Sequence, residues 1–164
     1  MKIYLAAPLF SEAEQLFNAQ LARMIRAVSE SIDLYVPQEQ EDINDKSRYA
    51  DSVMIASVDT QKVEECDLMI AVLDGLSIDA GVAAEIGIAY ARKTPVIGLY
   101  SDVRTQGADV QEKLDALHRL GESQFSYVNL YVVGLIKSNG TLVGSSHELV
   151  DALESYLQAS EKEK

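Results

Sequence analysis

Five short apolar runs separated by longer amphipathic stretches predict an α/β domain, a doubly wound five-stranded parallel sheet with helices on both faces. Two further observations support this. Runs such as Leu68–Leu73 are apolar at every position, as strands covered on both faces must be, and Pro8 and Pro37 close the first two of them. With 164 residues, 48% of them hydrophobic, the chain can build one well-buried core and is too short for two comfortable ones, so residues 1–164 are expected to form a single domain.

The elements follow in order. Lys2–Ala7 is the first strand, and Ser11-Glu-Ala-Glu14 matches a capping box opening a helix with apolar positions Ala13, Leu16, Phe17, Leu21, Met24, Ile25 and Val28. Leu34–Val36 is the second strand. From Gln38 to about Lys46 runs a polar loop, charged or amide-bearing at seven of its first eight positions, and a helix then reaches Cys66. Leu68–Leu73 is the third strand, Ala80–Ala91 a helix and Pro95–Tyr100 the fourth strand. Asp109–Leu120 suggests a polar helix and Val128–Val133 the fifth strand, with Asn139-Gly140 as a tight turn between two apolar pieces. A last helix spans about Ser146–Gln158, and residues 159–164 should fray. In such sheets ligands bind beyond the carboxyl ends of the strands, near the switch in strand order. The loops at Pro8–Phe10, Gln38–Glu41 and Asp74–Asp79 should therefore converge.

Composition removes several classes. A net charge of −12 disfavours nucleic acid and anionic membranes as partners. No apolar run approaches the ~20 residues of a membrane span, and the start of the chain lacks the layout of a signal peptide. The one cysteine, Cys66, forms no internal disulfide, which suits a cytoplasmic protein, and its charged neighbours suggest a structural thiol. His118 and His147 lie in polar helical settings, and no cluster has metal-ligand spacing, so neither a metal nor a cofactor is expected. Asp102 and Arg104 suit a surface pair.

The helix from Ala80 to Ala91 carries one charge, Glu85. On a 100° wheel it lies about 40–60° from Val82 and Ala89, inside the arc that faces the core. A carboxylate there costs free energy unless it is partnered, and such sites are concentrated where chemistry is done. Asp79 stands as N-cap with one carboxylate oxygen to spare, and Gly81, one turn before Glu85, leaves room for a ring-shaped substrate. Neither GxGxxG nor GxxxxGK[ST] occurs, and acids in place of Lys or Arg make a phosphorylated ligand unwelcome. A neutral polyol fits better.

The segment Asp79-Ala-Gly-Val-Ala-Ala-Glu85-Ile-Gly, the opening Ile3-Tyr-Leu-Ala-Ala-Pro-Leu-Phe10 and Val128-Asn129-Leu130 together resemble the nucleoside 2-deoxyribosyltransferases. The D-x-G-x-x-x-E-[IV]-G element is the specific part, and the likeness runs from the first strand to the last helix. It implies a flavodoxin-like sheet and exchange of the base of a 2′-deoxyribonucleoside for a free nucleobase through a covalent deoxyribosyl-enzyme. By the resemblance, Glu85 is the nucleophile at C1′ and Tyr4 its hydrogen-bonding orienter. Asp59 sits near the base and helps protonate it, Asp79 holds sugar hydroxyls, and Asn129 reaches a neighbouring subunit's sugar. Phe10 and Gln38 fall where loops should meet the substrate, and the amide of Gln38 could address a base edge.

Ala80, Ala83, Ala84, Ile88 and Ala91 would face away from the sheet, and a helix apolar on every side must be covered. A homo-oligomer, dimer or hexamer, that shares active sites would cover it. Two rivals stand beside this reading. One is a nucleoside 5′-monophosphate N-glycosidase on the same scaffold, whose Gly-Ser-Ile-Arg-like element is replaced here by Ala6-Ala-Pro-Leu-Phe10. The other is a non-catalytic nucleoside-binding module.

Overall fold

The computed structural model describes residues 1–40, 51–123 and 127–162. Its elements are β1 (Lys2–Ala6), α1 (Glu12–Val28), β2 (Asp33–Tyr35), α2 (Ser52–Glu65), β3 (Leu68–Val72) and α3 (Ala80–Arg92). Then come β4 (Val96–Leu99), α4 (Gln111–Asp115), α5 (Leu130–Ser138), β5 (Gly140–Val143) and α6 (Ser146–Lys162). The strands form one sheet in the order β2-β1-β3-β4-β5, every pair parallel. The order reverses between β1 and β3, and a crevice opens there at the carboxyl edge.

Alternation along each strand divides the core. Ile3, Leu5, Ile70 and Leu99 pack with Leu21 and Ile25 of α1 and Leu149 and Leu153 of α6. Tyr4, Ala6, Met69 and Ala71 pack on the other face with Val63 of α2, Val82, Ile86 and Ala89 of α3, and Val132 and Ile136 of α5. This period of two, buried on both sides, is why the strands are continuous apolar runs. Ser11 caps α1 as expected: its hydroxyl accepts from the Glu14 amide, and the Glu14 carboxylate accepts from the Ser11 amide at 2.7 Å. In α1, however, the buried positions are Asn18, Leu21, Ala22 and Ile25, while Leu16 faces solvent.

The C-terminal third departs from expectation. Val128–Val133 is not a strand; Asn129 caps α5, accepting from the amides of Tyr131 and Val132. A short apolar run cannot be assigned by hydrophobicity alone, and here the helical spacing of Val132 and Ile136 prevails. Nor is Asn139-Gly140 a hairpin turn: Asn139 ends α5 and Gly140 begins β5. A Cβ on Gly140 would lie 2.0 Å from the Val96 carbonyl oxygen, so only glycine lets β5 seat against β4. The segment expected as one polar helix is the short α4 followed by a 3-10 turn, Ala116–His118. In contrast, α6 continues past residue 158 because Tyr156 and Leu157 pack on the core. The expected polar loop beyond residue 40 lies outside the described residues.

Candidate active site

At the carboxyl edge, beside the β1–β3 reversal, a cavity of about 350 Å³ collects residues from four parts of the chain. Ala7, Leu9 and Phe10 come from the turn after β1, Pro37 follows β2, Ile55 and Asp59 belong to α2, and Asp79, Gly81, Val82 and Glu85 belong to α3 and its cap. The volume lies in the range that holds a small ligand. A wider depression of about 530 Å³ along α2 is open to solvent and, among the described residues, is lined by that one helix. The smaller cavity is the better site.

Glu85 stands on the inner arc of α3 and lines this cavity. The Tyr4 hydroxyl, on a fully buried side chain of β1, donates to Glu85 Oε1 at 2.6 Å. Oε2 accepts no hydrogen bond among the described residues. Burial pushes the Glu85 carboxyl up to about 7; the Tyr4 hydrogen bond pulls it down, and nearby Asp59 and Asp79 push it up again. Burial first, then the charge of Glu85, drives the Tyr4 phenol far above its ordinary range, so it remains a donor. Asp59 is also raised by burial, and its Oδ1 is buried without a hydrogen-bond partner.

Asp79 caps α3 through Oδ1, which accepts from the Gly81 and Val82 amides at 2.9 and 3.1 Å, leaving Oδ2 uncommitted by the cap. A Cβ on Gly81 would come within 3.0 Å of Asp79 Oδ1. The glycine therefore gives space both to the cavity and to this carboxylate. Phe10, 79% exposed, stands at the mouth.

Thus Tyr4, Asp59, Asp79, Gly81, Glu85 and Phe10 come together, and two other candidates lie apart. The Gln38 amide donates to the Gln15 carbonyl and accepts from Asn18 Nδ2, and Gln38 does not line the cavity. Asn129, exposed at the start of α5, is outside the cavity of its own chain. Cys66 donates to the Val63 carbonyl, its thiol pushed by burial up to about 11, and Arg104 pairs with Asp102. Among the described residues no group of three or more His, Cys, Asp or Glu could hold a metal ion.

The sequence reading passed over Asn18 and Tyr35. Asn18, buried on α1, donates to the Pro8 carbonyl at 2.9 Å and to Gln38 Oε1 at 3.2 Å, tying together two segments that border the cavity. The signal was available, since Leu21, Ala22 and Ile25 share its helical arc. Tyr35, opposite Tyr4 in the β1–β2 register, stacks on it at 5.4 Å between ring centroids.

The sequence profile described as Nucleoside 2-deoxyribosyltransferase matches residues 3–143. The chain belongs to that family. A conserved protein from Enterococcus faecalis V583 has a crystal structure with a TM-score of 0.90; it is 55% identical, and the match covers 95% of this chain and 98% of that one. A 2-deoxyribosyltransferase from Bacillus psychrosaccharolyticus matches at a TM-score of 0.61 and 17% identity, over 92% of this chain and 90% of its own. A CMP N-glycosidase from Clostridium botulinum matches at 0.51 and 18% identity, over 95% and 99%. These last two share the fold of the deoxyribosyltransferase family with this chain. No curated protein matches the sequence.

Proposed function

We propose that this member of the nucleoside 2-deoxyribosyltransferase family exchanges bases between 2′-deoxyribonucleosides and free nucleobases through a deoxyribosyl ester on Glu85. The observation that supports it most is the Tyr4–Glu85 pair in a cavity of nucleoside-binding size. Breaking an N-glycosidic bond passes through an oxocarbenium-like state, which a facing carboxylate stabilises and then traps. In this reading Tyr4 holds Oε1 and leaves Oε2 to bond C1′. The electron pair of the broken C1′–N bond goes to the base, which takes a proton from Asp59. Asp79 Oδ2 accepts from a sugar hydroxyl. An incoming base attacks C1′ from the vacated face, the ester bond returns its pair to Glu85, and two inversions give retention.

The N-glycosidase reading shares this first half and ends with water as acceptor. Its 5′-monophosphate form is disfavoured because Asp59, Asp79 and Glu85 line the cavity and, among the described residues, no Lys or Arg does. With deoxyinosine as donor and a panel of bases as acceptors, wild type should form new nucleosides and prefer deoxyinosine to its monophosphate. Glu85→Ala should keep the fold and lose transfer by about a thousandfold or more. Mass spectrometry of wild type with donor alone should find the deoxyribosyl adduct on Glu85. An adduct elsewhere, or an active Glu85→Ala, would refute the mechanism; free deoxyribose as sole product would favour the glycosidase.

A further inference from the structure

Two buried side-chain polar atoms among the described residues lack a hydrogen-bond partner: Tyr35 Oη and Asp59 Oδ1. Each such orphan costs about 1–3 kcal/mol, and natural structures rarely keep one without a use. The two residues are near enough to interact, since the charge of Asp59 helps to raise the Tyr35 phenol. Tyr35 pairs with Tyr4 in the parallel β1–β2 register, so both side chains leave the same face of the sheet, with rings stacked 18° from parallel. On α2, Lys62 Nζ sits 5.4 Å from the Tyr35 ring centroid. Asp59 is one turn before Lys62 on that helix, so it faces the same tyrosine. Asp59 also lines the cavity beside Glu85, and because Oδ1 is buried, Oδ2 is its ligand-facing oxygen.

Resting on the proposed transfer, we infer that Tyr35 is a positioning residue for Asp59: its hydroxyl pairs with Oδ1 when a base enters, aiming Oδ2 at the base nitrogen. A tyrosine hydroxyl suits the task because base exchange uses the same acid twice, in opposite directions. In the first half Asp59 is protonated and gives its proton to the departing base; in the second, the carboxylate takes a proton from the incoming one. A hydroxyl accepts from the acid and donates to the carboxylate, so it can hold Oδ1 in both states. Burial, then the charges of Asp59 and Glu85, raises the Tyr35 phenol to about 12, so it stays a neutral hydroxyl throughout. Tyr4 serves the nucleophile and Tyr35 the acid, from adjacent strands.

The test compares donors that differ in their need for a proton. Deoxyinosine releases its base with help from an acid, whereas 7-methyl-2′-deoxyinosine carries a cationic base that leaves as a neutral species unaided. Single-turnover formation of the Glu85 adduct is followed for wild type, Tyr35→Phe, Asp59→Asn and the double variant. Tyr35→Phe removes only the hydroxyl and leaves the stacked ring. With deoxyinosine it should slow adduct formation about tenfold or more, with KM little changed. With the methylated donor it should stay near the wild-type rate, and the double variant should be no slower than Asp59→Asn alone. Tyr35→Leu, a second removal of the hydroxyl, should show the same selectivity for the donor that needs a proton. Equal losses on both donors, or no loss on either, would overturn the role of Tyr35. If wild type forms no adduct from either donor, the transfer reading itself fails and takes this inference with it.

Discussion

Burial works against the ionised form of Glu85. Its carboxyl is pushed up to about 7 in the fold, against the ordinary value of 4.5. Between those two pH values the native state keeps a proton that the unfolded chain releases, so stability falls as pH rises through the window. Below it the carboxyl is neutral in both states and carries no ionisation penalty; above it the penalty is full, about 3 kcal/mol. The proposed reaction makes the opposite demand, because Glu85 as its nucleophile must be ionised, and transfer should increase as pH rises through about 7. Glu85→Gln separates the two effects, since its amide oxygen can still accept from Tyr4 but never ionises. The variant should lose transfer, melt higher than wild type at pH 8, and nearly match it at pH 5. A difference in melting temperature that is the same at both pH values would show that Glu85 ionisation is not what costs stability. The wheel made this residue legible before any fold was known, because a single charge on an otherwise apolar helix is a local signal. Tyr35 gave no such signal, because the role proposed for it depends on the register between β1 and β2 and on the docking of α2, which no local spacing encodes.

At the scale of elements, the junction between α5 and β5 shows why local patterning fell short. Val128–Val133 is rich in β-branched residues and looks like a strand, yet Asn129 at its head is a cap and the buried positions Val132, Val133 and Ile136 follow a helix. Asn139-Gly140 looks like a hairpin turn, and the glycine is needed for another reason: the closeness of β5 to the Val96 backbone. That need is set by a strand distant in sequence. Gly140→Ala must push β5 off β4 or distort its start, and should cost about 2 kcal/mol or more. Since Gly140 begins its strand and the cavity lies at the carboxyl edge, the variant should stay active at low temperature while its urea midpoint falls. An unchanged midpoint would mean that the contact with Val96 is not tight in solution. The remaining sheet was legible because β1, β3 and β4 are short apolar runs buried on both faces, which leaves few other readings.

The whole molecule still exposes apolar surface that a single copy does not cover. Tyr127, Leu130 and Tyr131 are each about three-quarters exposed, and Tyr90 of α3 is 48% exposed. Ala80, Ala84 and Ala91 also remain exposed, although α3 lies between α2 and α5. Copies carrying a net charge of −12 repel one another, so association has to be driven by apolar contact. Asn129 adjoins Leu130 on this surface, outside its own cavity, which suits a residue that completes a neighbour's site. We therefore expect at least a dimer by sedimentation at micromolar concentration, and a monomer with little transfer activity when Leu130 and Tyr131 are both changed to Glu. Complementation tests the sharing of sites directly. In the proposed arrangement Glu85→Ala lacks the nucleophile and Asn129→Ala the amide offered to a neighbour, so each alone should be nearly inactive. Unfolded and refolded together, they form mixed oligomers in which some sites combine an intact Glu85 with an intact Asn129 from the neighbour. Transfer should return in the mixture. If the mixture stays as inactive as its components while sedimentation shows mixed oligomers, Asn129 acts within its own subunit or not at all, and the shared-site arrangement is wrong.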